Sequence, residues 1–120
     1  MTKTILIVED NAANMQLFND LLQHQGYQTV LSPDGKDTLA LAREHQPGLI
    51  IMDIQLPDVS GLEYTQMLKA DAATQHIPVL AVTAFTLEGG LEKILAAGCD
   101  DVMGKPISAP AFLEMVARYF

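Results

Sequence analysis

Residues 49–53 read Leu-Ile-Ile-Met-Asp, an apolar run that ends in a carboxylate. A short, near-continuous apolar run is typical of a central parallel strand, which is covered on both faces. A carboxylate just past a buried strand is costly unless it has charge partners or chemistry to perform. The stretch therefore predicts a central strand at Leu49–Met52 and a functional carboxylate at Asp53.

Other predicted strands of the chain also end in polar residues. Ile5–Val8 is followed by two acids, Val79–Val82 is followed by a hydroxyl, and a further short segment leads into an amine. These residues are Glu9 and Asp10, Thr83, and Lys105 of Lys105-Pro106. Acids, a hydroxyl and an amine at successive strand ends predict one site that handles a phosphoryl group and a divalent cation.

Short apolar or β-branched runs alternate along the chain with longer segments of helical period. The predicted strands are Thr4–Val8, Gln28–Leu31, Leu49–Met52, Val79–Val82 and Asp101–Met103. The first predicted helix is Asn11 to Gln25, and the second runs from the turn at 32–35 to about His45. The third follows the cap Ser60 and carries Leu62, Met67 and Leu68. The fourth runs from Leu87 to Leu95 and is ended by Gly98, and the fifth runs from the cap Ser108 through Tyr119. Five β-α units predict one α/β domain over residues 1–120. Its fold would be a doubly wound, five-stranded parallel sheet with helices on both faces and the flavodoxin-like strand order 2-1-3-4-5.

In an open α/β sheet, ligands bind beyond the carboxyl ends of the strands, at the point where the strand order reverses. With this order, the reversal lies between the first and third strands, which lead into Glu9, Asp10 and Asp53. Three clustered carboxylates repel one another, and a divalent cation would relieve the repulsion. Magnesium, or manganese in its place, suits oxygen ligands and a bound phosphate, whereas the sequence has no cysteine or histidine cluster to recruit zinc.

The chemistry of the remaining side chains fits a phosphoryl site. Asp53 is the best-placed nucleophile, because a carboxylate can form an aspartyl phosphate. Thr83 could hydrogen-bond one phosphoryl oxygen, and Lys105 would supply a compact positive charge to another. The Lys105-Pro106 bond is a candidate cis peptide.

The composition argues against several classes of protein. The chain has 120 residues, is 49% hydrophobic and carries a formal net charge of -8. So acidic a chain repels nucleic acids and acidic membranes, and no apolar stretch approaches the ~18 residues of a membrane span. The N-terminus lacks the features of a signal peptide, and the single cysteine, Cys99, rules out an intrachain disulfide. These observations predict a cytoplasmic protein with no nucleic-acid or membrane partner.

Four motifs together resemble those of response regulator receiver domains. In chain order they are Ile-Leu-Ile-Val-Glu-Asp-Asn (5–11), Ile-Ile-Met-Asp-Ile-Gln-Leu-Pro (50–57), Val-Thr-Ala-Phe (82–85) and Lys-Pro-Ile-Ser (105–108). The resemblance covers the whole chain, and the ordered set is highly specific although each motif alone is weak. The sequences of the four motifs are similar to those of small stand-alone receivers of the DivK type.

The resemblance implies a (βα)5 receiver fold and magnesium-dependent phosphotransfer from histidine to aspartate in two-component signalling. It implies that Asp53 is the phosphoacceptor and that Glu9 and Asp10 hold the metal. The backbone carbonyl of Gln55 would complete the metal shell.

The same resemblance implies the partners. A histidine kinase or a histidine phosphotransfer protein would donate the phosphoryl group, with Thr83 as the switch hydroxyl and Lys105 as the phosphate-contacting amine. A downstream protein would bind the fourth helix, fifth strand and fifth helix of a monomer or weak dimer. The domain would be a phosphoacceptor in signalling rather than an enzyme.

One residue departs from the family pattern. The family usually has an aromatic switch residue three positions before the lysine, where this chain has Val102. Valine cannot make the same exchange between inward and outward rotamers, so we expect the signal to pass through the loop after Thr83 and the fourth helix. Gly89-Gly90 in that helix supports this expectation, because each interior glycine costs ~1 kcal/mol of helix stability relative to alanine.

Other functions remain open. The chain could be a receiver excised from a larger regulator or a hybrid histidine kinase, although a methionine directly before the first strand favours the stand-alone form. An aspartyl-phosphate phosphatase would want a second acid at the position of Gln55, and the chain lacks room for a cap domain. A flavodoxin-like electron carrier would need a phosphate loop where Glu9-Asp10 has the wrong charge.

Overall fold

Five strands and five helices alternate along the chain. The computed structural model describes residues 3–56, 59–84 and 90–120, with the backbone alone at residues 90 and 91. The strands are β1 (Thr4–Val8), β2 (Gln28–Ser32), β3 (Leu49–Asp53), β4 (Val79–Thr83) and β5 (Asp101–Gly104). The helices are α1 (Ala12–His24), α2 (Thr38–His45), α3 (Gly61–Ala70), α4 (Gly90–Ala96) and α5 (Ala109–Ala117). The strands form one parallel sheet in the order β2-β1-β3-β4-β5, which confirms the predicted fold class and strand order.

The register of the sheet brings the ends of its strands together at one edge, the carboxyl edge. Val8 at the end of β1 pairs with the residue before Asp53, so that Glu9 and Asp53 leave neighbouring strands at the same level. One strand further along, Thr83 pairs with Gly104. The polar residues at the strand ends therefore converge, as the topology predicts.

The sheet is covered on both faces by helices. Strand side chains pack against α2, α3 and α4 on one face and against α1 and α5 on the other. Every residue of β3 and β4 is buried, as their continuous apolar runs predict. Both strands extend one residue further than predicted, because Asp53 and Thr83 continue the ladder of paired strands. A carboxylate and a hydroxyl are thus buried within the sheet itself.

Of the two predicted helix caps, one is confirmed and the other makes no capping hydrogen bond. Ser60 Oγ accepts a hydrogen bond from the backbone N–H of Leu62 at 3.2 Å, so the predicted cap of α3 is confirmed. Ser108 precedes α5, but its side chain makes no capping hydrogen bond. Pro110, the second residue of the helix, has no N–H, which removes one of the two backbone donors that a cap side chain can use.

Two of the apolar residues that the predicted helices carry are exposed. Met67 and Leu95 each expose 48% of their surface. The buried stripe of α3 passes through Tyr64 and Leu68, and one residue of helix turns a side chain by about 100° away from such a stripe. Leu95 follows the buried Ile94 in α4 in the same way.

The structure describes only part of the segment predicted as the fourth helix. Phe85, Leu87 and Gly89 lie outside the described residues, as does Pro57 earlier in the chain. α4 begins at Gly90. α5 ends at Ala117, so that Tyr119, which the sequence predicts to lie in this helix, follows it instead. None of the helices in the described ranges is long and apolar enough to cross a membrane.

Candidate functional site

Three carboxylates meet at the carboxyl edge of the sheet. Glu9 and Asp10 directly follow β1, and Asp53 is the last residue of β3. One possible ligand oxygen from each of the three lies within 4.8 Å of the other two. Glu9 and Asp53 are 1% and 2% exposed, while Asp10 is exposed. The fold therefore brings together the three acids that the sequence predicts as a metal site.

Lys105 reaches this cluster from the residue after β5. Its Nζ lies 3.0 Å from Glu9 Oε1 and 3.4 Å from Asp53 Oδ1. Its backbone N–H donates to the carbonyl oxygen of Thr83 at 2.9 Å, and its bond to Pro106 is cis, as predicted. Burial disfavours the charged amine, but the hydrogen bond to Glu9 and the charge of Asp53 outweigh burial and raise the pKa of Lys105. The amine is therefore a fixed positive charge at neutral pH.

Asp53 carries a strongly perturbed carboxyl group. Burial is the largest cause, and the neighbouring carboxyl groups of Glu9 and Asp10 add to it, because both effects disfavour another negative charge. The backbone N–H of Gln55 donates to Asp53 Oδ1 at 3.0 Å and favours the ionised form. The net result raises the pKa of Asp53 from 3.8 to about 8. The protein on its own therefore keeps a proton in this cluster near neutral pH.

The oxygen atoms of the cluster fit a hard divalent cation. Glu9 Oε1 is buried, and the ammonium of Lys105, 3.0 Å away, is its cationic neighbour. Glu9 Oε2 accepts a long hydrogen bond from the N–H of Asn11 at 3.4 Å. The exposed Asp10 keeps one side of the cluster open to water. An open, all-oxygen set of three carboxylates is the kind of site that Mg²⁺ occupies.

Thr83 lies at the end of β4 and is 2% exposed. It pairs in the sheet with Gly104, the residue before Lys105, so the hydroxyl and the amine come from neighbouring strands. Val102 pairs with Ala81 further back along the same strands and packs on the α2-α3-α4 face of the core. The position that usually holds an aromatic residue is therefore filled by a small, half-buried side chain.

One residue that packs on this site is absent from the predicted set. Gly61 opens α3, and a Cβ at this position would collide with the backbone of Asp53 and Ile54. The sequence does carry a signal for it, because a glycine, a poor helix former, directly follows the helix cap Ser60. Periodicity cannot detect such a residue, since glycine has no side chain to place on a buried or exposed face.

Comparison with known families assigns the chain to one of them. The chain matches the response regulator receiver domain over residues 5–117. It therefore belongs to the response regulator receiver domain family and is a signalling domain of two-component systems.

Named relatives are more specific. The chain is 54% identical to the polar-differentiation response regulator DivK of Brucella ovis over 119 residues, which cover 99% of this chain and 97% of that protein. It is 53% identical to DivK of Brucella anthropi over the same length and with the same coverage. The predicted family and the predicted similarity to DivK-type receivers are both confirmed.

Solved structures agree with the fold. The chemotaxis protein CheY4 of Vibrio cholerae superposes with a TM-score of 0.93 over 100% of both chains at 24% identity, and so shares the fold. The receiver domain of the sensor histidine kinase PA1611 of Pseudomonas aeruginosa superposes with a TM-score of 0.90 at 30% identity, over 99% of this chain and 98% of that one. That receiver was solved with a magnesium ion coordinated in its active site cleft.

Proposed function

We propose that this chain is a phosphorylation-controlled binding domain whose Asp53 accepts a phosphoryl group from a phosphohistidine in a Mg²⁺-dependent reaction. The observation that carries the proposal is the buried Asp53 carboxyl group at the end of a central strand, with two further acids and an amine around it. Membership of the receiver family supports it. The magnesium ion in the active site cleft of the PA1611 receiver supports the same use of the acids here.

Glu9, Asp10 and Asp53 would hold the Mg²⁺ ion, or Mn²⁺ in its place, together with the backbone carbonyl of Gln55. Carboxylate and carbonyl oxygens are the ligands that these ions prefer. When bound, the ion supplies positive charge that neutralises the acids and the incoming phosphoryl oxygens. The exposure of Asp10 supports a site that a phosphodonor can approach.

Asp53 is the nucleophile of the proposed transfer. A carboxylate oxygen of ionised Asp53 forms a bond to phosphorus while the P–N bond of the phosphohistidine breaks. The leaving imidazole nitrogen keeps the electron pair and takes up a proton from water, so the products are an aspartyl phosphate and a neutral histidine. Lys105 Nζ, 3.4 Å from Asp53 Oδ1, would stabilise the charge on one phosphoryl oxygen, and the hydroxyl of Thr83 would donate a hydrogen bond to another.

The proposed output of phosphorylation is a change in binding to a downstream protein through α4, β5 and α5. Thr83 ends the strand that precedes α4 in the chain, and Lys105 directly follows β5, so both side chains are joined to that surface. Because Val102 replaces the aromatic residue of the family, we assign the change to the backbone of the loop after Thr83. The upstream partner would be a histidine kinase or a histidine phosphotransfer protein.

In this proposal, residues 1–120 form one receiver domain, which is cytoplasmic and is a monomer or weak dimer. The domain accepts a phosphoryl group without enzymatic turnover. The net charge of -8 supports a protein partner over nucleic acid or a membrane. The 54% identity to DivK across 97% of that protein supports a DivK-like regulator. Gln55 at the position where a phosphatase would need its second acid argues against the phosphatase alternative.

Intact mass after incubation with acetyl phosphate, with and without Mg²⁺, tests the phosphoacceptor. The parent chain should gain a single phosphoryl adduct only with Mg²⁺ present, and Asp53→Asn should gain none. Asp71→Asn is the matched control, because Asp71 is engaged by Arg43 and the N–H of Ala73 away from the cluster and should leave the adduct unchanged.

Two results would contradict the proposal. An adduct that persists in Asp53→Asn would place the phosphoacceptor elsewhere. A parent chain that stays unmodified both with acetyl phosphate and with a phosphohistidine-containing donor protein would remove the phosphorylation-controlled function.

A further inference from the structure

The start of α3 lies directly against the backbone of the strand that carries Asp53. The N–H of Gly61 donates to the carbonyl oxygen of Ile54 at 3.0 Å. A Cβ on Gly61 would lie 2.9 Å from Ile54 Cα, 3.0 Å from the carbonyl carbon of Asp53, and well inside contact distance of the Asp53 carbonyl oxygen. These neighbours are backbone atoms, so no side chain can rotate to make room. A residue with a side chain can therefore enter this position only if the backbone shifts.

Thr65 holds Gly61 from the opposite side. Thr65 is completely buried, and its hydroxyl donates to the carbonyl oxygen of Gly61 at 2.9 Å. The thiol of Cys99, in turn, donates to Thr65 Oγ1 at 3.7 Å. The N–H of Gly61 is thus directed at the phosphoacceptor strand, and its carbonyl is fixed to the interior of the protein.

The hydrogen bond from Gly61 acts on the peptide plane next to Asp53. The carbonyl of Ile54, which accepts from Gly61, and the N–H of Gln55 belong to the same planar peptide group. That N–H donates to Asp53 Oδ1 at 3.0 Å. Because the two ends of one plane cannot turn independently, the Gly61 contact also sets the direction of the N–H that orients the Asp53 carboxylate.

We propose that Gly61 and Thr65 are positioning residues for the phosphoacceptor: they fix the Ile54–Gln55 peptide plane and, through it, the Asp53 carboxylate and the segment next to the metal ligands. Neither residue touches the reacting atoms. The expected effect on metal affinity rests on the proposed function, whereas the expected effect on the Gln55 N–H does not.

Gly61→Ala and Gly48→Ala form one matched pair. Gly48 directly precedes the other end of β3, roughly 16 Å along the strand from Asp53. A Cβ there would meet the ring of Phe120, at 2.5 Å from its Cε1, rather than the backbone of the site strand. The two variants add the same methyl group at the two ends of one strand, and only one of them presses on the proposed peptide plane.

Thr65→Val and Thr74→Val form a second pair. Both threonines are completely buried and donate to a backbone carbonyl of α3, since the hydroxyl of Thr74 donates to Leu68 O at 2.7 Å. Each change removes one hydroxyl with little change in shape. Of the two, only Thr65 is hydrogen-bonded to Gly61. This pair therefore tests whether Asp53 is positioned in this way even if Gly61→Ala does not fold.

Three measurements separate positioning from stability. They are the NMR chemical shift of the Gln55 amide in the metal-free protein, the dissociation constant for Mg²⁺, and the melting temperature. Gly61→Ala should move the Gln55 amide signal and weaken Mg²⁺ binding by about 10–100-fold, the effect usual for partners that orient metal ligands. Thr65→Val should do both to a smaller extent. Gly48→Ala and Thr74→Val should lower the melting temperature while leaving the amide signal and the Mg²⁺ affinity unchanged.

The opposite pattern overturns the inference. It fails if Thr65→Val and any folded Gly61→Ala keep the parent's Gln55 amide shift and differ from their controls only in melting temperature. A parent chain that binds no Mg²⁺ would contradict the proposed function instead, and the Gln55 amide would still decide whether these residues position Asp53.

Discussion

The two edges of the sheet treat their carboxylates in opposite ways. At the carboxyl edge, three acids lie within 4.8 Å of one another beside the amine of Lys105. At the amino edge, where the strands begin, Asp100 Oδ2 accepts hydrogen bonds from Lys69 Nζ at 2.9 Å and from the N–H of Val79 at 2.8 Å. At the carboxyl edge, the acids therefore share one cation, Lys105. At the amino edge, Asp100 alone has both a cation, Lys69, and a backbone N–H donor.

The same residue type is accordingly perturbed in opposite directions. The hydrogen bond from Arg43, followed by that from the N–H of Ala73, lowers the pKa of Asp71 near the amino edge. Burial and two neighbouring acids raise the pKa of Asp53 to about 8 at the carboxyl edge. The amino edge is arranged to stabilise the fold, whereas the carboxyl edge retains repulsion that a cation or a phosphoryl group can relieve.

The pH dependence of stability is the strongest test of this difference. Because the pKa of Asp53 is raised from 3.8 to about 8 in the folded state, its contribution to stability is fully present below about pH 4 and is lost as the pH rises through about 8. For the metal-free parent, the free energy of unfolding should fall across this window by an amount on the order of 5 kcal/mol. Asp53→Asn should abolish most of the fall and be more stable than the parent at about pH 8. Urea unfolding at a series of pH values, with metal removed, measures both.

Asp71→Asn is the control from the other edge. A lowered pKa contributes stability that is present above the ordinary pKa of aspartate and lost as the pH falls below it, so this variant should be less stable than the parent at neutral pH. If metal-free Asp53→Asn proved less stable than the parent at about pH 8, the repulsion assigned to the carboxyl edge would not exist.

The lysines of the two edges give the next largest effect. Lys105 and Lys69 are similarly buried, with side chains 18% and 22% exposed. Lys105 is paired with two acids and Lys69 with one. Replacing either by glutamine should cost about 1–3 kcal/mol, because a charged hydrogen-bonding partner is lost. Mg²⁺ should recover stability in Lys105→Gln, since the ion binds the folded state and replaces the missing charge. The loss in Lys69→Gln should be unaffected by Mg²⁺.

Melting curves with and without Mg²⁺ distinguish the two lysine variants. Lys69→Gln keeps the three acids, so Mg²⁺ should raise its melting temperature as much as that of the parent, and should raise that of Lys105→Gln by more. An equal rise in all three chains would mean that the ion does not replace the charge of Lys105.

Much of the fold could be predicted because each element has its own period in the sequence. β3 and β4 are apolar without interruption, which is the mark of strands covered on both faces, and the intervening helices repeat every three or four residues. Once the strand order is known, the ends of neighbouring strands must meet. The approach of Glu9 to Asp53 follows from topology alone, whereas Lys105 follows β5 and reaches the two acids past β4 through its long side chain.

What could not be predicted depends on contacts between distant segments. Glu9 and Asp10 are adjacent acids with the same sequence signal, yet one is buried and the other exposed, because the chain turns out of the sheet between them. Likewise, Met67 is as apolar as its buried neighbour Leu68, and only the direction in which α3 packs separates them. The close approach of Gly61 to the Asp53 backbone is of the same kind, because it depends on where one helix meets one strand.

The smallest expected effect concerns the ion pair between Arg43 and Asp71. The Arg43 side chain is 54% exposed, so solvent screens the pair and Arg43→Gln should lower the free energy of unfolding only slightly. The cost should shrink further as salt is added and should not change with Mg²⁺ at constant ionic strength. Chemical unfolding of Arg43→Gln, Asp71→Asn and the double variant measures the pair directly. A coupling as large as the whole loss in Lys69→Gln would show that exposed pairs stabilise the amino edge. A small coupling would mean that the amino edge is stabilised instead by carboxylates that also accept a backbone N–H, such as Asp100. Asp53 accepts the N–H of Gln55 in the same way, but at the carboxyl edge two neighbouring acids oppose its ionised form.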